Sequence, residues 1–193
     1  NDSLRGEPDM AALGRNLITF LARYLKAQIG AFYVPDGNHR LHLVSSYAYK
    51  KHKNLSNVFE MGEGLVGQAA LEKQRIVLAN VPDDYITVSS GLGEARPRNI
   101  AVVPVLFEGE VKGVIELGSL YAFVDDDLLF LDLVAESIAI AIHSAQSRLR
   151  VQELLEETQT QAEELQAQQE ELRQANEELE EHTSALTQSE ARL

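Results

Sequence analysis

After Gly118 the sequence contains neither proline nor glycine as far as Leu193. Proline removes a helical amide donor and glycine costs backbone entropy, so a segment without either can form one very long helix. Within this segment leucine recurs every seven residues, at Leu165, Leu172, Leu179, Leu186 and Leu193. This period predicts a coiled coil with leucine at the d positions.

The a positions of this heptad lie three residues before the leucines and are mostly polar: Ala162, Gln169, Asn176, Thr183 and Glu190. Polar a positions weaken a coiled coil, and an asparagine there pairs with its symmetry mate in a parallel, in-register dimer. We therefore predict a marginal parallel coil over residues 148–193 that makes the protein a homodimer. A lone solvated helix is the alternative.

The helix that leads into the coil is apolar on two sides between Leu128 and Ala145. Leu128, Leu131, Ala135, Ile138 and Ile142 form one face. A second face holds Phe130, Val134 and Ala141, and we expect it to continue the dimer seam toward Leu155 and Ala162. A second subunit covers this face in our interpretation, and a neighbouring helix of the same domain is the alternative.

Upstream, the pattern is α+β, and residues 1–147 are expected to form one domain. Apolar residues recur three and four positions apart over residues 9–28, which predicts a helix. A shorter helix is predicted from Leu65 to Glu72. Strands are predicted at residues 29–34, 41–49, 75–79, 100–107 and 111–119, with a bulge or an unpaired amide near Pro104. Residues 84–97 are predicted to be loop or broken helix. Asp125 to Asp127 favour a helix start.

Charge and cysteine content exclude several functions. The net charge is -13, and residues 148–193 supply -8 of it with 4 basic and 12 acidic residues. Because phosphate must be neutralised by clustered cations, neither nucleic acid nor an anionic membrane is an expected partner. The one basic cluster, around Lys51, is expected to be a solvated loop. Absence of cysteine excludes disulfides, thiolate metal sites and thioether-linked chromophores, and it fits a reducing, cytoplasmic location.

No membrane span is expected either, since no run approaches the required 18 or so apolar residues. The chain begins at Asn1 rather than methionine and is expected to be a piece of a larger protein.

A glycine motif and two histidines are the candidates for chemical sites. Gly62, Gly64 and Gly67 spell G-x-G-x-x-G, but a hairpin precedes them and Glu63 would oppose a pyrophosphate, so we predict a tight loop entering a short helix. His39 and His42 would lie on opposite strand faces, which disfavours a metal. No nucleophile, base and oxyanion site occur together, so no catalytic residue is predicted.

Three segments together resemble a GAF domain. They are Phe59-Glu60-Met61-Gly62-Glu63-Gly64-Leu65-Val66-Gly67-Gln68-Ala69, then Ile76-Val77-Leu78-Ala79-Asn80-Val81-Pro82-Asp83, and Val111-Lys112-Gly113-Val114-Ile115-Glu116-Leu117 before an acid-capped helix. The resemblance covers about Met10 to Ser147. It implies an antiparallel sheet of five or six strands, with the first and last helices on one face and a small-molecule pocket on the other.

The tail resembles the Glu- and Gln-rich helices that follow GAF domains in bacterial sensor histidine kinases, especially hybrid kinases. This analogy implies a non-catalytic sensory module of a two-component phosphorelay, with a phosphotransfer region beyond it and a membrane sensor before it. The alternative is a structural dimerisation spacer that binds no ligand.

Two departures from the family pattern reduce the number of possible ligands. Cyclic-nucleotide GAF domains carry an Asn-Lys pair where this chain has Gly118 and Ser119, which counts against a cyclic nucleotide although Phe123, Asp126 and Asp127 stay in step. Bilin-binding GAF domains need a cysteine that is missing here. No cofactor is therefore expected.

The fold implied by the resemblance places a ligand between the sheet and the loop from Tyr85 to Arg98. Strand alternation puts Glu116 on the pocket side, where a buried carboxylate needs a partner such as Arg96, Arg98 or a ligand cation. A salt bridge across an empty pocket is the alternative. The pocket candidates are Tyr85, Ser89, Ser90, Leu92, Arg96, Arg98, Val114 and Glu116.

Overall fold

The computed structural model describes residues 7–48, 57–81, 88–90 and 93–190. Its helices are α1 (Glu7–Tyr24), α2 (Gly64–Glu72) and α3 (Asp125–Glu190). Its strands are β1 (Ile29–Pro35), β2 (Leu41–Tyr47), β3 (Val58–Phe59), β4 (Ile76–Ala79), β5 (Val88–Ser90), β6 (Gly93–Ala95), β7 (Asn99–Phe107) and β8 (Glu110–Ser119). The chain divides into two compact units, Asn1–Ala145 and Gln146–Leu193.

Six strands of the first unit form one antiparallel sheet in the order β3-β2-β1-β8-β7-β4, which confirms the predicted α+β class. Strands β7 and β8 are long and rich in valine and isoleucine, residues that suit strands buried on both faces. Strand β8 lies between β1 and β7, so its side chains reach the middle of each face. This position matters because β8 carries Glu116.

The two faces of the sheet have separate cores. On one face, Phe32, Ile115 and Leu117 pack with Leu21 of α1 and Leu131 of α3. On the other face, hereafter the α2 face, residues of β1, β7 and β8 pack with α2 residues; this cluster includes Ala31, Tyr33, Val66, Ala69, Ala70, Val102 and Val114. The predicted layering, with the first and last helices on one side, is therefore correct.

Several sequence predictions need correction. Helix α1 ends at Tyr24 rather than near Gln28, because Lys26 adopts a left-handed conformation with φ +53° and the Ala27 amide bonds back to the Ala22 carbonyl. The segment expected to be loop contains the paired strands β5 and β6. The register shift of β7 lies between Val105 and Leu106, just after Pro104.

Helix α3 has one long apolar stretch. By length and composition its segment Asp125–Glu180 could cross a membrane, since one 18-residue window has a mean hydropathy of 1.7. This corrects the expectation that no stretch approaches a span. Core helices pass the same test, and Leu131, Ala135, Ala139 and Ile142 are buried against the sheet. The window as a whole is 22% buried, and one such helix is weak evidence for a membrane span.

Candidate ligand face and output helix

A carboxyl group lies at the centre of the α2 face. Glu116 is on β8, and its cross-strand partners are Ala31 on β1 and Val102 on β7. Its neighbour two residues earlier on the same side, Val114, is fully buried. The surroundings are therefore apolar, which is an unfavourable place for a charge.

Tyr33 is the hydrogen-bond partner of this carboxyl group among the described residues. Its hydroxyl donates to Oε2 of Glu116 over 3.3 Å, and its ring meets Phe59 edge-on with centroids 5.5 Å apart. Burial raises the pKa of Glu116, and the Tyr33 hydrogen bond lowers it by less. Sequence reasoning missed both aromatic residues, although the alternation that buries Phe32 on the other face also places Tyr33 here.

The other sequence-predicted pocket residues are more dispersed. Val114 is on the α2 face as expected, whereas Arg96 and Arg98 are exposed, so neither is the partner of Glu116 in the described structure. Both arginines line a surface depression of about 510 Å³ together with Val81, Glu94, Ala95, Pro97 and Leu120. Ser89 and Ser90 belong to β5. Tyr85 and Leu92 lie outside the described residues, as does the basic cluster around Lys51.

The glycine motif forms the predicted tight turn into α2. Gly62 and Gly64 have φ of +86° and +59°, which glycine adopts without strain. Gly67 packs so closely that a Cβ atom there would lie 2.1 Å from the Glu60 carbonyl oxygen. The amides of Gly62 and Gly67 donate to the carbonyls of Gly67 and Glu63. These amides are thus used within the turn rather than offered to a phosphate.

The two histidines considered as metal ligands and the acidic start of α3 have other contacts. His42 lies 2.8 Å from Asp36 across the β1–β2 hairpin, while His39 is in the turn with φ +59°. Asp127 accepts a hydrogen bond from the Val124 amide at the start of α3, as capping predicts. Within the described ranges no group of three His, Cys, Asp or Glu side chains is arranged to hold a metal ion.

The outward face of α3 in the first unit differs from the predicted one. Phe130 stacks on Tyr24 of α1 with centroids 4.4 Å apart, and Val134 packs against the core, so both are partly buried within the single chain. The partner of Phe130 is the neighbouring helix α1, which is the alternative to a second subunit. Leu129, Leu133 and Ile140 are instead each more than half exposed. Ala141 is exposed as well.

The second unit is a solvated helix in this single chain. Its apolar heptad residues Leu155, Leu165, Leu172 and Leu179 are each more than half exposed, and Ala162 and Asn176 are exposed too. The side chain of Leu186 and the whole of Leu193 lie outside the described part. Arg173 pairs with Glu170 and Glu177 of the same helix, and this pairing lowers the pKa of Glu170.

One side chain connects the α2 side of the sheet to α3. Arg75 lies between α2 and the edge strand β4. Its Nη1 donates to the Leu128 carbonyl oxygen over 3.0 Å and also pairs with the Asp132 carboxylate. The contact passes around the sheet edge and joins elements that pack on opposite faces.

Comparison with known proteins agrees with this architecture. The GAF domain family model matches residues 7–143. The GAF domain of Acinetobacter phosphoenolpyruvate-protein phosphotransferase has a TM-score of 0.57 and 19% identity over 71% of this chain and 84% of its own. The GAF-B domain of DevS from Mycobacterium smegmatis has a TM-score of 0.57 and 22% identity over 73% of this chain and 98% of its own.

An enzyme shares the fold as well. The type II free methionine-R-sulfoxide reductase of Thermoplasma acidophilum has a TM-score of 0.57 and 21% identity, over 72% of this chain and 94% of its own. No curated protein sequence matches significantly. At these identities the solved structures establish the fold alone. The family match, the sheet order and the helix placement together show that the chain belongs to the GAF domain family, whose members are sensory and regulatory modules of signalling proteins.

Proposed function

We propose that this chain is the non-catalytic sensory and dimerisation part of a cytoplasmic two-component histidine kinase, and that it passes a signal from the α2 face to α3. The observation that carries the proposal is that α3 is apolar on two faces, one buried in the core and one exposed. Its inner side chains, such as Leu131, complete the core, while Leu133 and Ile140 on the same helix stay exposed and apolar. A helix of this kind fits a protein in which a second copy covers the outer face.

The occupant of that outer face is a second copy of the same chain. The heptad leucines further along α3 support this choice, because a leucine at every seventh position buries itself only against another helix of the same period. Asn176 at an a position favours the parallel arrangement, which aligns identical faces across a twofold axis.

Arg75 supplies a physical route between the two faces. A change in the packing of α2 on the sheet moves the residues that follow it, and Arg75 is held to the first turns of α3 by its contacts with Leu128 and Asp132. Signalling then requires two arrangements of α3 that differ in free energy with the state of the α2 face. The weak a positions of the heptad suit a coil that moves between such arrangements.

Sedimentation equilibrium of the full chain tests the dimer. Leu133→Asp and Leu172→Asp each place a charge on an outer apolar position, and Gln174→Asp adds the same charge at an outward f position of the heptad. We expect a dimer for the wild-type protein and for Gln174→Asp, and a dissociation constant raised at least tenfold for the two leucine variants. A monomeric wild-type protein would refute the proposal.

A further inference from the structure

Helix α1 leaves an apolar stripe uncovered on the outside of the first unit. Leu13 is 39% exposed, Phe20 53% and Tyr24 60%, although the same helix buries its other side against the sheet. Phe20 and Tyr24 stack with centroids 5.8 Å apart, and Phe130 of α3 lies 6.5 Å and 4.4 Å from them. The stripe therefore adjoins α3, and the two helices share one exposed apolar surface, hereafter the α1–α3 surface. Its members are Leu13, Phe20, Tyr24, Leu129, Leu133 and Ile140.

The two helices of this surface run in opposite directions. Helix α1 ends shortly before β1 begins, and Gly14 of α1 lies against Phe32 of β1, so α1 is antiparallel to β1. Helix α3 begins shortly after β8 ends, and its His143 stacks on Phe107 beside the start of β8, so α3 is antiparallel to β8. Because β1 and β8 are themselves antiparallel, α1 is antiparallel to α3.

The aromatic contact between the helices sets their relative level. Phe130 lies beside Phe20 and Tyr24, and each further residue adds about 1.5 Å in opposite directions along the two helices. Counting from this contact places Leu133 level with Phe20, and Asp126 within one turn of Arg23. A twofold axis parallel to the helices keeps every residue at its level, so these pairs also match between two copies of the chain.

The same axis brings α1 of one copy to α3 of the other. Helix α1 lies on one flank of α3, and a rotation of 180° places the partner's α1 on the opposite flank of the outward side. Phe20 then faces the partner's Leu133, and Arg23 faces the partner's Asp126. Arg23 and Asp126 are both exposed, and neither forms an ion pair with another residue of the described ranges. Their opposite charges therefore complement each other between copies rather than within one.

The outer side of α1 has both the room and the composition of an interface. A depression of about 620 Å³ is lined by Arg15, Asn16, Thr19, Phe20, Arg23 and Tyr24. Aromatic residues and arginine are the residue types enriched where protein surfaces bury each other, and they contribute most of the binding energy there. A leucine side chain of a partner helix can enter such a depression between the two rings.

We infer that α1 of each copy packs across α3 of the other, with Phe20 against the partner's Leu133 and Arg23 beside the partner's Asp126. This rests on the proposed function, in which a second copy covers the outer side of α3, and it adds α1 to that interface. The first unit then dimerises through four helices rather than two. Any movement of α3 against its mate must also repack the aromatic residues of α1.

Crosslinking between two differently marked copies tests the inference. The chain contains no cysteine, so each introduced cysteine defines one end of a crosslink. A tagged Phe20→Cys chain is co-expressed with an untagged Leu133→Cys chain, and the purified protein is treated with a short bis-maleimide. Arg15→Cys replaces Phe20→Cys in the matched control, since Arg15 is exposed on the same helix about 140° around from Phe20.

We expect a covalent product of one tagged and one untagged chain from Phe20→Cys with Leu133→Cys, and little of it from Arg15→Cys. In sedimentation equilibrium, Phe20→Asp should raise the dissociation constant of the full chain about tenfold or more, whereas Arg15→Asp should leave it unchanged. Both side chains are exposed in the single chain, so these substitutions leave its core intact.

Equal crosslinking from Phe20→Cys and Arg15→Cys would overturn the inference, as would a Phe20→Asp variant that dimerises like the wild type. Either result leaves a dimer through α3 alone in place. A monomeric wild-type protein would instead refute the proposed function together with this inference.

Discussion

Gly67→Ala should strongly destabilise the first unit. The new Cβ atom would lie 2.1 Å from the Glu60 carbonyl oxygen and 3.0 Å from the Gly62 amide nitrogen. Both are backbone atoms, which no rotamer change can move. Relief requires α2 to shift away from the turn. That shift would break the hydrogen bonds from Gly62 to Gly67 and from Gly67 to Glu63.

The expected loss follows from three contributions. Two hydrogen bonds are worth about 1 kcal/mol each, and overpacking against backbone adds about 1–3 kcal/mol. Alanine regains about 1 kcal/mol of helix propensity over glycine. The free energy of unfolding should therefore fall by about 2–4 kcal/mol, a large part of the stability of an ordinary domain.

Urea unfolding followed by tyrosine fluorescence measures this change, because the tyrosines all lie before the long coil segment. Gly37→Ala is the control, since a Cβ atom at Gly37 meets nothing within 4 Å. We expect that control to be neutral or to stabilise by up to about 1 kcal/mol. All variants are compared at one protein concentration. Equal stabilities for Gly67→Ala and Gly37→Ala would refute the close-packing account of the motif.

Three further predictions concern the core, the carboxyl group and the link between the faces. Leu131→Ala should lower the free energy of unfolding by about 2–5 kcal/mol because Leu131 is fully buried, whereas Leu133→Ala should mainly weaken the dimer; urea unfolding and sedimentation separate the two effects. The raised pKa of Glu116 means that the folded state binds its proton more tightly than the unfolded state. Wild-type stability should therefore fall as the pH rises from the ordinary glutamate pKa through the folded-state pKa, and thermal melts across this window should show Glu116→Gln gaining relative to the wild type; a constant difference would contradict the shift. Arg75→Met should cost about 1 kcal/mol, since the ion pair with Asp132 is partly exposed, and hydrogen exchange should increase in the first turns of α3 but not at its heptad leucines.

The longer strands could be predicted from the sequence because they carry their own signals, whereas the layering of the helices followed from the resemblance to GAF domains. Ile115 and Leu117 alternate with Val114 and Glu116, and this period of two fixes which side chains share a face. The glycines of the motif also predicted the tight turn into α2, and Gly62 and Gly64 adopt the positive φ that glycine tolerates. These features depend on local chemistry, which a single sequence contains.

The partners of long side chains could not be predicted in the same way. Arg96 or Arg98 was a reasonable partner for Glu116 by charge, but Tyr33 lies on the adjacent strand, and only the register of β1 against β8 reveals this. Phe130 was assigned to the outer face because helical periodicity does not show where α1 packs. In the structure the aromatic rings of α1 cover Phe130 and leave Leu129 and Leu133 outside. Contacts between distant segments decide such cases.

The most direct test of the proposed relay is a register experiment. The chain is joined, with its heptad in phase, to the dimerisation and catalytic domains of a histidine kinase of known activity, and one to seven residues are inserted after Ala162. Because the heptad returns to its original phase after seven residues, we expect autophosphorylation to depart from the parent value at intermediate insertions and to recover with seven. Activity that is unchanged at every length, or that declines steadily without recovery at seven, would contradict signalling through this helix.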